Sequence, residues 1–349
     1  MDISWKIFTL PLASTFTISK GTFTHRRALI VRLGQDGCTG LGEATEITYY
    51  GISIERFVKL IAENLSTLQQ IKLSSPEEYH EAISMIFGHE PFLLCAFDCA
   101  AHDLYGQLVK KTTRELLQID QKNQDLATSF TIGIGSIKEM IEKIKKTPWP
   151  IYKIKLGTPE DMKIMKALRQ ETDAILRVDA NGGWTASETV KNSAILKDLG
   201  VEFIEQPMPI AAIDEMRKVR LKSHLPLIAD ESCQTEIDVG KCQGAFDGIN
   251  IKLMKCGGLT VALRMIAEAR KLNLKIMIGC MTETSIGISA AAQLIPLVDY
   301  VDLDGAMLIK EDVASGVSFV AGYPVFPEKY GLGCQLLNVE NLAHLDEEK

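Results

Sequence analysis

The chain has 349 residues, 46% hydrophobic and 24% charged, the balance of a globular protein with a sizeable core and not of a disordered one. Lys and Arg number 38 against 45 Asp and Glu, a net charge of −7, and no basic run tracks a phosphate backbone, which argues against a nucleic-acid partner. No run of about 18 apolar residues and no signal-peptide pattern occurs, so no membrane partner is expected and a cytoplasmic location is the default.

Residues 3–9 and 27–33 are rich in apolar and β-branched residues and predict strands of an antiparallel sheet. The segment 36–44, DGCTGLGEA, predicts a turn and a Gly-rich extended stretch. Over 53–117 the period changes: Ile54, Phe57, Val58 and Ile61, then Leu93, Leu94, Phe97 and Ala101, recur at helical spacing. Residues 1–125 therefore read as an α+β module. Eight cysteines are scattered without a Cys-x-x-Cys pair, which signals neither a zinc site nor a disulfide framework and suits buried thiols in a reducing compartment.

From about Ser129, short apolar runs alternate with helix-length amphipathic segments. The runs are SFTIGI, YKIKL, AILRV, VEFIE, LPLIA, GINIKL, LKIMIG and VDYVDL. Eight of them predict an α/β fold of TIM type, a (β/α) barrel over 126–310; a doubly wound open sheet is the competing architecture. Residues 311–349, including the Gly- and Pro-rich SGVSFVAGYPVFP, read as a tail returning to complete the first module, a capping domain.

Active sites of such barrels form at the strands' C-terminal ends, so the polar residues closing the runs are the candidates. Asp179, Glu205 and Asp230 close three consecutive strands, 26 and 25 residues apart. Adjacent strands lie ~4.8 Å apart, so the three carboxylates can converge. An all-oxygen set suits a hard cation such as Mg²⁺, without which the carboxylates raise one another's pKa. The plain alternative is a set of unrelated helix caps and strand-end acids. Lys153 and Lys155 are two apart and face the same way, into the barrel, where an ammonium is costly unless it meets an anion or acts in catalysis. Lys252 ends strand six, across the mouth from Lys155 on strand two; ordinary salt bridges are the alternative for each lysine. Strand seven ends at Cys280, and strand eight carries Asp302 and Asp304, which as a solvated strand end would mean little.

YKIKLG, RVDANGGW, FIEQP, IADES and NIKLMKCGG resemble the barrel motifs of the enolase superfamily, muconate-lactonizing subgroup, over about Phe130 to Ala306, and the flanking parts resemble its capping domain. The resemblance implies that Asp179, Glu205 and Asp230 hold Mg²⁺ and that Lys155 and Lys252 remove and return a proton next to a carboxylate. It further implies a second cation, Lys153, near the substrate carboxylate, with Asn181 and Glu231 behind the ligands. Asp302 and Asp304 resemble the Asp-x-Asp motif with which dipeptide epimerases hold the substrate's α-ammonium, and Cys280, Met281 and Thr282 then lie along the substrate, with Thr131 as a further contact. Residues 14–27, STFTISKGTFTHRR, correspond to a mobile specificity loop. Where L-Ala-D/L-Glu epimerases resemble one another in placing an arginine, this chain has Gly21, with Lys20, His25, Arg26 or Arg27 as substitutes. The expected substrate is a dipeptide with a small or apolar second residue, such as Ala-Ala from peptidoglycan turnover, and the chain is a candidate homo-oligomer. Alternatives are an L-Ala-D/L-Glu epimerase, an N-acylamino-acid racemase or cycloisomerase, and a non-catalytic binding protein on the same scaffold.

Overall fold

In the computed structural model, which describes residues 1–18, 21–118 and 126–337, the chain opens with an antiparallel sheet of β1 (Asp2–Ile18), β2 (Gly21–Gln35) and β3 (Cys38–Thr45), in that order. The first two strands run well beyond the predicted ones. Most of the expected loop is a β-ladder, with Phe16 opposite Phe23, Thr17 opposite Thr22 and Ile18 opposite Gly21, after a register shift between Pro11 and Phe16. Alternating Thr, Phe and Ile favour the pleated, cross-paired state, whereas Pro11 cannot donate to a ladder. Lys20, one of the substitute cations, lies outside the described residues.

Four helices follow, α1 (Ile54–Gln70), α2 (Pro76–Phe87), α3 (Pro91–Val109) and α4 (Thr113–Leu116). Ser53 and Ser75 cap the first two by accepting the Arg56 and Glu78 backbone N–H groups. Phe57 and Ile61 are buried as their spacing predicts, while α3 is buried nearly all round because it lies between the sheet and the barrel. It packs directly on β3: a Cβ at Gly42 would stand 1.9 Å from the Ala96 carbonyl oxygen, so this close approach needs glycine.

The eight apolar runs become β4 (Phe130–Ile132), β5 (Ile151–Lys155), β6 (Ile175–Asp179), β7 (Val201–Glu205), β8 (Leu227–Ala229), β9 (Gly248–Lys252), β10 (Lys275–Gly279) and β11 (Tyr300–Asp302). All pair in parallel and in chain order. A parallel bridge between Thr128 and Val301 brings the last strand back beside the first, which closes a barrel and rules out the open sheet. The connections carry α5 (Ile137–Lys146), α6 (Asp161–Arg169), α7 (Ala186–Asp198), α8 (Ile213–Arg220), α9 (Glu236–Cys242), α10 (Leu253–Cys256) with α11 (Leu259–Lys271), and α12 (Ser285–Ala292). After β11 comes a 3₁₀ turn, Gly305–Leu308, in place of a helix.

Alternation along the strands turns every second residue inward. Below the strand ends, Phe203, Ile228 and Met277 form a separate buried cluster with half-buried Tyr300 packed against it, and the Arg177 guanidinium lies 5.2 Å from the Phe203 and Tyr300 ring centres while its Nε donates to Glu202 at 2.7 Å. This layer plugs the lower half of the barrel.

The tail forms β12 (Ala314–Ser315), β13 (Ser318–Val320), β14 (Tyr323–Val325) and β15 (Gln335–Leu336). Residues 330–332 do meet the first module, where Thr113 N–H donates to the Gly331 carbonyl at 2.8 Å and Leu332 N–H to Asp103 at 2.8 Å. The β13–β14 hairpin goes elsewhere: its Gly322 carbonyl accepts from Thr128 N–H and its turn sits against Pro150, so this Gly- and Pro-rich stretch covers the strand-start end of the barrel. All eight cysteines are free thiols, and six are buried. Among the described residues no helix is long and apolar enough to cross a membrane.

Candidate active site

The strand ends bring the predicted residues together. Asp179, Glu205 and Asp230 are fully buried, and one oxygen from each lies within 4.8 Å of the others. Neighbouring polar groups hold them in place. Asn181 N–H donates to Asp179 Oδ1 at 2.9 Å, Asn250 Nδ2 to Glu205 Oε1 at 2.8 Å, and Gln206 Oε1 accepts from Asp230 N–H at 3.0 Å. Asn250 reaches Glu205 because β10 offers Gly279, where a Cβ would lie 2.4 Å from the Asn250 Oδ1. The triad is crowded, and burial together with the Asp179 charge pushes the Glu205 carboxyl up to about 7.

Lysines answer the negative charge. Lys155 Nζ stands 2.6 Å from Asp179, Lys252 Nζ 2.8 Å from Asp230, and Lys153 Nζ lies 3.2 Å from Asp179, 2.7 Å from Glu205 and 2.8 Å from Asp302. Burial works against ionised Asp230, yet Lys252 and a further lysine, Lys255, hold its carboxyl well below the usual carboxylate range. Burial likewise opposes the charged form of Lys252, but as long as no cation draws on Asp230 that carboxylate outweighs burial and holds the ammonium above its ordinary pKa. The residues present fit a hard divalent cation: three converging carboxylates, with the buried Asn181 Oδ1 and Glu231 Oε2 lacking a hydrogen-bond partner among the described residues.

Thr131, Lys153, Lys155, Asp230, Lys252, Cys280, Met281, Thr282, Asp302 and Asp304 all line one pocket over these groups. Asp302 accepts from Ser129 Oγ and Lys153, and Asp304 accepts from Thr131 N–H at 2.6 Å. Burial and the charge of Asp302 push Asp304 up to about 6. Phe16 and Ile18 from the β1–β2 ladder, Ile47 and Leu308 supply an apolar rim.

The cations proposed for the specificity loop separate clearly. His25 points outward beside Thr24, and Arg27 is paired with Glu46 and Glu55. Gly21 ends the ladder at φ 144°. Arg26 is only 6% exposed, lines the pocket, lies 3.7 Å over the Phe23 ring and has no carboxylate partner among the described residues. Sequence reasoning named Arg26 without locating it, and missed Lys255, Gln206, Tyr49 and Tyr50. Lys255 carried a signal, a charge inside the apolar NIKLMK run; the other three read as ordinary polar or aromatic loop residues.

Residues 136–339 match the family described as Enolase C-terminal domain-like. The chain is 48% identical over 339 residues to an L-Ala-D/L-amino acid epimerase of Maribacter sp., covering 96% of this chain and 99% of that one. It is 44% identical to an L-Ala-D/L-amino acid epimerase of Flavobacterium johnsoniae, covering 97% and 100%. In three dimensions it resembles a dipeptide epimerase from Cytophaga hutchinsonii complexed with Mg and D-Ala-L-Val, with a TM-score of 0.90, 25% identity and coverage of 97% and 96%.

Proposed function

This chain belongs to the family of enolase C-terminal domain-like proteins and is a Mg²⁺-dependent epimerase of the enolase superfamily, and from that premise we propose that it inverts the α-carbon of the C-terminal residue of a dipeptide. The carrying observation is the pair of buried lysines on strands two and six, each on a carboxylate of the triad and both in one pocket with Asp302 and Asp304. In this reading Lys155 and Lys252 address opposite faces of the carbon, one taking its proton and the other returning one. Asp179, Glu205 and Asp230 hold the cation, which supplies positive charge where negative charge builds on the substrate carboxylate. Asp302 and Asp304 receive the substrate's α-ammonium, and Lys153 keeps Asp302 ionised. The test is a dipeptide library incubated with Mg²⁺ in D₂O and read by mass spectrometry for a one-dalton gain. Exchange confined to N-acylated amino acids would overturn the dipeptide reading.

The rim of Phe16, Ile18, Ile47 and Leu308 supports a small or apolar second residue such as Ala, because an unpaired buried carboxylate costs several kcal/mol there. One observation favours a second reading: the Arg26 Nε has no hydrogen-bond partner among the described residues, and a buried guanidinium gains most from an anion. The kcat/KM values for Ala-Ala and Ala-Glu decide between them. The first reading expects the wild type to prefer Ala-Ala and Gly21→Arg to shift preference toward Ala-Glu by about tenfold or more, with Gly21→Ala as the control for strain at that φ. A wild type that prefers Ala-Glu, and loses that preference in Arg26→Met, assigns the selection to Arg26.

A further inference from the structure

The wall formed by Cys280, Met281 and Thr282 is held by a carboxylate from outside the barrel. Glu43, on β3 of the first sheet, is 1% exposed and reaches the first turn of α12. Its Oε1 and Oε2 each accept from Thr284 N–H at 3.0 Å, Oε2 also accepts from the Thr284 hydroxyl and, at 3.2 Å, from Gly287 N–H, and Oε1 accepts from the Thr45 hydroxyl at 3.2 Å. The Thr284 and Gly287 N–H groups are donors that a helix start leaves without intrahelical partners, and a negative charge there is favoured by the helix dipole. A second buried carboxyl, Glu283, turns back to accept from Met281 N–H at 2.8 Å. Its Oε2 lies 2.0 Å from where a Cβ on Gly287 would stand, so the two acids meet over one glycine. Asp312 of the tail takes Ser285 N–H at 2.8 Å and its hydroxyl at 2.7 Å. The two residues before Thr284 are Thr282, on the pocket wall, and Glu283, which orients Met281.

We infer that Glu43 is a positioning residue that sets the substrate-facing wall 280–282 from the first sheet, so that this module shapes the barrel side of the pocket as well as its rim. The inference rests on the dipeptide-epimerase reading only for its kinetic part. Among the described residues Glu43 makes no hydrogen bond or ion pair to the metal-type triad, Lys155 or Lys252, so its loss displaces the wall and leaves the proton-transfer groups where they are.

The test uses the full chain as Glu43→Gln, with Thr284→Val as a second variant that removes the hydroxyl donor to Glu43 together with the cap that accepts Ile286 N–H at 3.2 Å, and leaves the carboxylate. Hydrogen exchange in the absence of substrate should show lost protection of the Thr284 and Gly287 amides in Glu43→Gln while the β5–β9 strands stay protected. With a dipeptide accepted by the wild type, KM should rise about tenfold while kcat and the Mg²⁺ concentration for half activity change little, and Thr284→Val should fall between. Unchanged exchange at 284 and 287, or kcat falling with KM unchanged, overturns the inference. A wild type inactive on every dipeptide overturns the functional reading alone, because the exchange experiment still decides the placement.

Discussion

Lys155→Arg and Lys252→Arg should each cut epimerisation by about 10²–10⁴-fold while leaving deuterium exchange into one of the two diastereomers. Arginine keeps the ion pairs now made at 2.6 Å to Asp179 and 2.8 Å to Asp230, so the buried carboxylates are not left unpaired. A guanidinium stays protonated, however, and cannot take a proton from carbon. Positioned acid–base groups contribute about 10²–10⁴-fold, so the loss should be of that order, and it should be opposite in sense for the two variants because the lysines come from strands two and six. The measurement is α-deuterium incorporation from each pure diastereomer. Substantial epimerisation by both variants would mean that neither lysine is the base.

Chelation should remove all activity, and Mg²⁺ should restore it. Three carboxylate ligands and hard oxygen neighbours favour Mg²⁺ over softer cations. A second readout needs no turnover: an ion that binds the folded chain only must raise the melting temperature as its concentration rises. Asp230→Asn should lose that rise, since it removes charge from the carboxylate that Lys252 and Lys255 now share. Full turnover in chelator-treated, metal-free protein would exclude the assignment of the triad.

Much of this site was legible because six of the eight barrel strands announce their inward end with a charge after an apolar run, strands one and seven being the exceptions, and the spacing of one βα unit fixes which charges are neighbours. Asp179, Glu205, Asp230, Lys155 and Lys252 needed no more than that. Lys153 was harder. Its alternation with Lys155 puts it inside, but only the three-dimensional packing reveals that its ammonium falls among Asp179, Glu205 and Asp302. The long ladder of β1 and β2 was hidden because its second half pairs two polar-looking stretches, whose Thr and Phe residues gain from cross-strand contact that neither stretch shows alone. Glu43 was invisible for a similar reason. It sits in GLGEA, a stretch that reads as turn and strand, and its partner Thr284 is 241 residues away.

Among the described residues the plug of Arg177, Phe203, Ile228, Met277 and Tyr300 fills the lower half of the barrel, so that the pocket opens on the strand-end side. Whatever enters must depart past the same Phe16 and Ile18 rim, and in an epimerisation each product is also the reverse substrate. The doorway is therefore under pressure to be indifferent to handedness, and on the proposed assignment discrimination between the two epimers has to be sought at the carbon itself, between Lys155 and Lys252, and not in who is admitted.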